Sequence, residues 1–470
     1  MKTHVFKALA LVSLLALTSV AQAQTPAPVD PRASTPADQL PSDWIDKDTG
    51  HRVRRISTEN GSSSNYFNVN SYTPDGRWMA YSSPSGIMVM DLKTFQSKLV
   101  IKAPASLQFV GQKTGLIYYT GALVATQGHD AQPQPAPGAE AAGRNRGPRA
   151  ILSYNIETGE TKQIAELDAG YRIATINADE TLFAGSRETG PPTAGGGQAL
   201  GGPNGGGNTD PAAEILPNGQ RATYAEGREI QINRRLVQKI PMEIFTINIK
   251  TGDKKTVTAS TDWLNHLQFS PTDPGLLLYC HEGNWHIIDR MWLVRVDRPD
   301  TPKNIHVRTM NMEIAGHEWW SADGKTVWYD LQTPRGEVFW VAGYNVETGK
   351  RVWYAVDRNA WGVHFNTTRD DSLFVSDGGD NEMAAHAPDG KYIQLLRPRD
   401  IPDVAGISAE NADKLIKPGV LDPERLVNLN PHNYRLEPNA SFTPDNKWIV
   451  FRSNMHGPSH VYAVEVAKAQ

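Results

Sequence analysis

Five polar side chains stand in one relation to a recurring turn. His266 lies in WLNHLQFSP, His317 in AGHEWWSADG and His364 in WGVHFNTTRDD, each a few residues ahead of a turn. Glu437 and Asn439 lie in RLEPNASFTPD in the same relation. An imidazole takes up or releases a proton near neutrality and can ligate a metal. A carboxylate and an amide add oxygen donors that suit Mn²⁺ or a harder ion such as Ca²⁺. The segment YCHEGNWHIIDRMWLV adds His281, His286 and Arg290. Together these groups suit metal binding or the handling of an acidic sugar. They do not supply the paired carboxylates of most glycoside hydrolases. The spacing of His281 and His286 is one residue too long for a zincin helix, and no G-x-S-x-G elbow occurs, which argues against a metalloprotease and a serine hydrolase.

The elements that must position these residues are strands. Thr73-Pro74-Asp75-Gly76 returns as Asn177-Ala178-Asp179-Glu180, Ser270-Pro271-Thr272-Asp273 and Ser321-Ala322-Asp323-Gly324. It returns again as Thr367-Thr368-Arg369-Asp370 and Thr443-Pro444-Asp445-Asn446. Most are followed by a β-rich run such as RWMAYSS or KWIVFRS, and a second cue alternates with them, as in YNIETGE, INIKTGD and YNVETGK. Repeats of strands and turns at intervals of roughly 50 residues read as an all-β fold, a β-propeller. In that fold ligands bind at the channel mouth, where the inner strands of several blades converge. One polar residue per repeat at one equivalent place is therefore the pattern expected of a site.

The chain has 470 residues and a formal net charge of −4, which argues against a nucleic-acid partner. Residues 1–23 read as a secretory signal: Lys2 and Lys7, an apolar stretch from Ala8 to Val20, and Ala21-Gln22-Ala23, with cleavage after Ala23. The expected location is periplasmic or exported, with no membrane span after cleavage and no protein partner indicated. The single cysteine, Cys280, sits beside Leu278 and Tyr279 and reads as a buried strand residue, so no internal disulfide is available. Residues 24–45 read as a flexible leader, and 46–470 as one propeller domain. Surface insertions are expected at about 125–149, 189–225 and 396–425. A helical signal appears only in SAENADKLIK, near 408–417.

Several motifs resemble oligogalacturonate lyases (polysaccharide lyase family 22), which are seven-bladed propellers. The likeness runs from DTGHRVRRIS and NYF through CHEG and DRMWLV to GHEWW, GVHFN and SFTPDNKWIVF. It implies β-elimination on short oligouronides, with a bound metal and an arginine neutralising the uronate carboxylate. Carried over by motif, the base is His317 and the catalytic arginine Arg290. His281, His266, Tyr434 and Arg452 are implied as substrate-binding residues. The metal set is implied as His364, Glu437 and Asn439, with Mn²⁺ as the ion and Ca²⁺ as an alternative. The family pattern there has two histidines flanking a proline and a glutamine three residues earlier. This chain has Glu437-Pro438-Asn439 and Tyr434.

Two other readings compete: a non-catalytic propeller of the TolB type that binds protein, and an enzyme for a different acidic oligosaccharide. Glu318 is the rival to His317 as a base, although adjacent side chains on an extended segment are expected to face opposite sides. Trp319 and Trp320 are expected to pack between blades rather than stack on sugar.

Overall fold

The computed structural model describes residues 34–123, 149–190 and 210–469. The signal segment, the glycine clusters at 195–197 and 205–207 and nearly all of the 125–149 insertion lie outside the described residues.

Among the described residues the strands form seven antiparallel units in chain order. Blade 1 holds Trp78–Ser83, Gly86–Asp91 and Ser97–Lys102. Its inner position is taken by a segment that bridges at Ser63–Ser82 and Tyr72–Met79. Blade 2 is Ser106–Val110, Ile117–Ala122, Arg149–Tyr154 and Thr161–Leu167; blade 3 is Arg172–Ile176, Leu182–Glu188, Met242–Asn248 and Lys254–Ser260. Blade 4 is Trp263–Phe269, Leu276–Glu282, Met291–Arg295 and Arg298–Asn304; blade 5 is Ile314–Trp320, Thr326–Gln332, Phe339–Asn345 and Arg351–Val356. Blade 6 is Phe365–Thr367, Phe374–Ser376, Tyr392–Asp400 and Lys417–Asn428. Blade 7 is Ser441–Phe442, Trp448–Ser453 and His460–Lys468, and its outer strand, His51–Arg55, comes from the other end of the chain. The fold is a seven-bladed β-propeller.

The recurring turn has a physical cause. Its first hydroxyl donates to the carboxylate two residues on: Ser321 to Asp323 at 2.6 Å, Thr368 to Asp370 at 2.7 Å and Thr443 to Asp445 at 2.7 Å. The fourth residue is left-handed, with φ of +69° at Gly76 and Gly324, +55° at Asp371 and +60° at Asn446. In blade 6 the turn therefore begins at Thr368, one residue later than the sequence pattern suggested.

Three further expectations are corrected. The segment 408–417 is not an α-helix; it holds a short 3₁₀ turn at Ala412–Lys414 and then enters a strand. The 396–425 stretch is largely a long hairpin, Tyr392–Asp400 with Lys417–Asn428, whose outer strand pairs in parallel with Arg351–Val356 of blade 5. The leader already contributes a strand at Asp43–Ile45, paired with His51–Arg55. An α-helix does form at Tyr224–Gln238, where Thr223 and Glu226 cap each other's backbone.

The core lies between blades. Trp319 is 2% exposed and packs with Phe67, Trp328 and Phe365, so this tryptophan is a packing residue. Trp320 donates its indole N–H to the Gln268 carbonyl of blade 4 at 3.2 Å.

Candidate active site

The four repeat positions are structurally equivalent. His266, His317, His364 and Asn439 each stand four residues before the residue whose N–H closes the inner turn: Ser270, Ser321, Thr368 and Thr443. At three of them the backbone is left-handed, with φ of +49° at His266, +47° at His317 and +54° at Asn439. In blades 4 and 5 the strand register shifts there, between Asn265 and Gln268 and between Gly316 and Trp319. A bulge of this kind interrupts the alternation of the strand and re-aims a side chain. An L-residue in this region costs about 1–2 kcal/mol, which Asn and His tolerate better than β-branched residues.

The bulge sets His317 against blade 5's second strand. Gly316 pairs with Asp330, and Asp330 Oδ2 stands 3.4 Å from His317 Nδ1. Burial opposes charge on this imidazole, but the Asp330 carboxylate outweighs it and raises His317 above its ordinary value. Nε2 is left to face the site. A Cβ at position 316 would lie 3.4 Å from Arg290 Nε and 3.7 Å from Trp285 Nε1, at ordinary contact distance, so Arg290 lies against the residue that precedes His317.

Arg290 belongs to a buried network. Its two Nη atoms donate to Glu282 at 2.8 and 3.3 Å, and Nη1 also reaches the Gly283 carbonyl at 3.3 Å. Glu282 is bound from its other side by His266 Nε2 at 3.0 Å. Burial disfavours both charges, but the pairing wins: the Glu282 carboxyl is held far below its usual range and Arg290 well above its own. Arg290 Nε has no protein partner.

Asp377 organises the second half of the site. It accepts from His364 Nδ1 at 2.9 Å, from the His364 backbone N–H at 2.8 Å and from the Asn439 backbone N–H at 3.0 Å. This carboxylate fixes the His364 ring and leaves Nε2 outward, 3.8 Å from Glu437 Oε2. Asn439 donates its amide to the Glu437 carbonyl at 3.0 Å, and its Oδ1 is buried without a partner. One imidazole nitrogen, one carboxylate and one orphaned amide oxygen form a donor set that fits a borderline or hard divalent cation. Among the described residues no three His, Cys, Asp or Glu side chains gather to hold a metal; the third candidate donor here is an amide. The His317 and His364 rings stand 4.7 Å apart, which makes one site of the two halves.

Four of the remaining expected residues divide evenly. His266 joins through Glu282, and Arg452 joins by donating Nε to the Glu437 carbonyl at 2.7 Å. His281 turns to the opposite face of its strand, where Nδ1 meets Asp262 at 3.1 Å and the ring packs near Trp292. Tyr434 is fully buried and donates its hydroxyl to the Asp377 carbonyl at 2.8 Å, so it supports the site from behind. The structure does not bring these two side chains to the cluster. Sequence reasoning missed Asp330, Asp377, Glu282 and Tyr66. Tyr66 packs 5.1 Å from the His364 ring and 6.0 Å from His266. Burial first, and then the Glu437, Glu318 and Glu282 carboxylates, hold its phenol well above the usual range. Glu282 ends the second strand of blade 4 and Asp377 follows that of blade 6, while Asp330 lies two residues inside the end of blade 5's, so the three share no single repeat position.

Comparison with known proteins adds three findings. The family model for oligogalacturonate lyase matches residues 236–470. Two curated relatives match at low identity. Oligogalacturonide lyase of Pectobacterium atrosepticum is 25% identical over 235 residues, and oligogalacturonate lyase of Dickeya dadantii is 24% identical over 244. Each match covers 47% of this chain and 55% of the relative, so the matched stretch spans about half of those proteins. A solved structure of an oligogalacturonate lyase in complex with manganese superposes with a TM-score of 0.64, at 18% identity, over 91% of this chain and 96% of the other. That likeness is one of fold.

Proposed function

We propose, from the premise that this chain belongs to the oligogalacturonate lyase family, that it cleaves short oligouronides by β-elimination. One observation carries the reading. His317, with its Nδ1 side turned to Asp330, stands beside both Arg290 and the His364, Glu437 and Asn439 donor set. Elimination needs a base for a carbon acid and positive charge at the adjacent carboxylate. Here both are drawn to one point.

In the proposed reaction His317 Nε2 takes the C5 proton of the uronate. The electrons of that C–H bond form the C4–C5 double bond, and the C4–O bond breaks. The leaving oxygen takes a proton from water. Asp330 stabilises the imidazolium that forms, which strengthens the base. Arg290 is already paired with Glu282, so its role is to present Nε and a fixed residual charge rather than a free guanidinium. His364, Glu437 and Asn439 would hold the divalent cation, Mn²⁺ by analogy with the solved relative. Once bound, it supplies charge that acidifies the C5 proton.

The test is incubation with a panel of oligouronides while following ultraviolet absorbance of the new C4–C5 double bond. Appearance of that absorbance with oligogalacturonate supports the reading. Its absence on every uronide returns the chain to a binding scaffold. Residues 1–23 carry the features of a secretory signal, and export belongs to the same proposal. An N-terminus at Gln24 in the mature protein is the expected result.

A further inference from the structure

The helix Tyr224–Gln238 lies across the face on which the site opens. Its anchors make this clear. The Ala225 N–H bonds the Glu382 carbonyl in the loop after blade 6's second strand at 2.9 Å. Glu229 pairs with Arg335, in the loop after blade 5's second strand, at 2.8 Å. Arg235 pairs with Glu188, the last residue of blade 3's second strand, at 3.2 Å. Lys239, just past the helix, pairs with Asp262 at the entrance to blade 4 at 2.8 Å. Asp210, just ahead of it, pairs with Arg435 at the entrance to blade 7 at 2.9 Å. All five contacts fall on the rim where second strands end and inner strands begin. Asp330, Asp377 and Glu282 hold the site together at that same rim. A helix of 15 residues is about 22 Å long. One that touches blades 3 to 7 therefore spans the mouth as a roof.

The roof has an inward face. Gly227, Gln231, Ile232, Arg235 and Leu236 are buried, and Tyr224 packs against the hydrophobic cluster shared by blades 6 and 7. Arg228 follows Tyr224 by four residues and so shares its side of the helix. It is half-buried. The other cations of this segment have carboxylates: Arg234 has Glu214, Arg235 has Glu188 and Lys239 has Asp262. Arg228 has no hydrogen bond or ion pair among the described residues. The cluster that Tyr224 packs against contains Tyr434 and Ala440, which bracket Glu437 and Asn439 in the chain, so Arg228, one helical turn on, lies toward the metal-donor end of the site. An arginine on the inward side of a roof, with no protein anion to meet, is suited to an anion that arrives with the ligand.

We propose that Arg228 is a substrate-binding residue that takes the carboxylate of the uronate next to the one being cleaved. The inference rests on the lyase reading and deepens it, since it assigns a second charged subsite and gives it to an inserted segment.

The test compares digalacturonate with the same sugar methyl-esterified on the residue that is not cleaved. Steady-state kinetics are run on wild type, Arg228→Gln and Arg228→Lys. Wild type is expected to show KM about tenfold lower for the free acid than for the ester. Arg228→Gln is expected to raise KM for the acid to the level of the ester, with kcat within about twofold and the melting temperature unchanged. Arg228→Lys keeps part of the discrimination, because the charge remains. A helix residue with only a structural role would not erase discrimination at a distant carboxylate while leaving kcat alone. If Arg228→Gln, or Arg228→Lys should the glutamine variant fail to fold, discriminates as fully and binds as tightly as wild type, the assignment is overturned and the lyase reading stands. If wild type cleaves neither sugar, both fall together.

Discussion

His317 and His364 meet edge to face, with ring centroids 4.7 Å apart and planes at 70°, yet each leans on a different carboxylate. His317 faces Asp330 across 3.4 Å, a loose contact, while His364 is bonded to Asp377 at 2.9 Å and is almost fully buried. In the proposed reaction the loosely held ring is the one that changes its charge. The tightly held one presents a fixed nitrogen. On the proposed lyase reading the two neighbouring imidazoles divide the tasks of base and ligand.

The first prediction follows from the Asp330 contact. His317 is raised above the ordinary histidine value, and a base works unprotonated, so kcat/KM should fall as pH drops through that raised value. Asp330→Asn removes the main cause of the rise. The acid limb should move to lower pH and the plateau rate should fall. A pH profile of both proteins measures this, and an unmoved limb would show that another group titrates.

A second prediction concerns the base and its backbone. His317→Ala should lower turnover by ~10²–10⁴-fold with substrate binding largely kept. Because φ there is +47°, glycine suits the backbone better than alanine. His317→Gly should therefore be more stable than His317→Ala by roughly 1 kcal/mol. Denaturant melts of the two inactive variants compare them directly. Equal stabilities would mean that the bulge relaxes when the imidazole leaves.

Metal binding has a readout that needs no substrate. Addition of Mn²⁺ to chelator-treated protein should raise the melting temperature, by a stabilisation of ~2.7 kcal/mol at a hundred times the dissociation constant. His364→Ala and Asn439→Ala should each abolish the rise. A full rise in Asn439→Ala would exclude the buried Oδ1 as a donor.

Acid should weaken the blade that carries Glu437. Burial holds His432 and His460 neutral, with values lowered to about 4. Each takes its proton later in the folded than in the unfolded chain, so stability is full above ~6.5 and is lost as pH falls from there toward 4. The loss is on the order of 1–3 kcal/mol for each. His432 Nε2 donates to the Leu436 carbonyl at 2.7 Å, one residue before Glu437. Melting temperatures at pH 7 and pH 5 should differ, and His432→Gln should narrow the gap. An unchanged gap would assign the acid sensitivity elsewhere.

Much of this was legible in the sequence because a propeller writes its inner strand at each repeat. The serine or threonine and aspartate of the turn satisfy one another locally, so they mark the turn without tertiary help, and the position four residues earlier follows. Glu282, Asp330 and Asp377 were not legible in this way. Each acts on a residue of another strand, and only the strand pairing brings the two together. His281 and Tyr434 misled for a related reason. A motif fixes which residues are near in the chain, but the pleat of its strand turned His281 outward, and the turn between blades 6 and 7 buried Tyr434. The α-helix was hidden by its setting: its capping pair is plain at Thr223 and Glu226, but it follows a glycine-rich segment that reads as linker.

The outer strands of blades 5 and 6 are bonded in parallel from Val352–Lys417 to Val356–Leu421, which merges two blades into one eight-stranded sheet. In mechanical terms the ring has a welded seam there, while the other seams between described blades are joined by side-chain packing and scattered bonds. Slippage between wedges should concentrate at those other seams. His317 lies on one side of the weld and His364 on the other. The spacing of these two imidazoles is thus spanned by the one seam between described blades that carries a continuous strand pairing, and on the lyase reading breathing at the other seams would leave it unchanged.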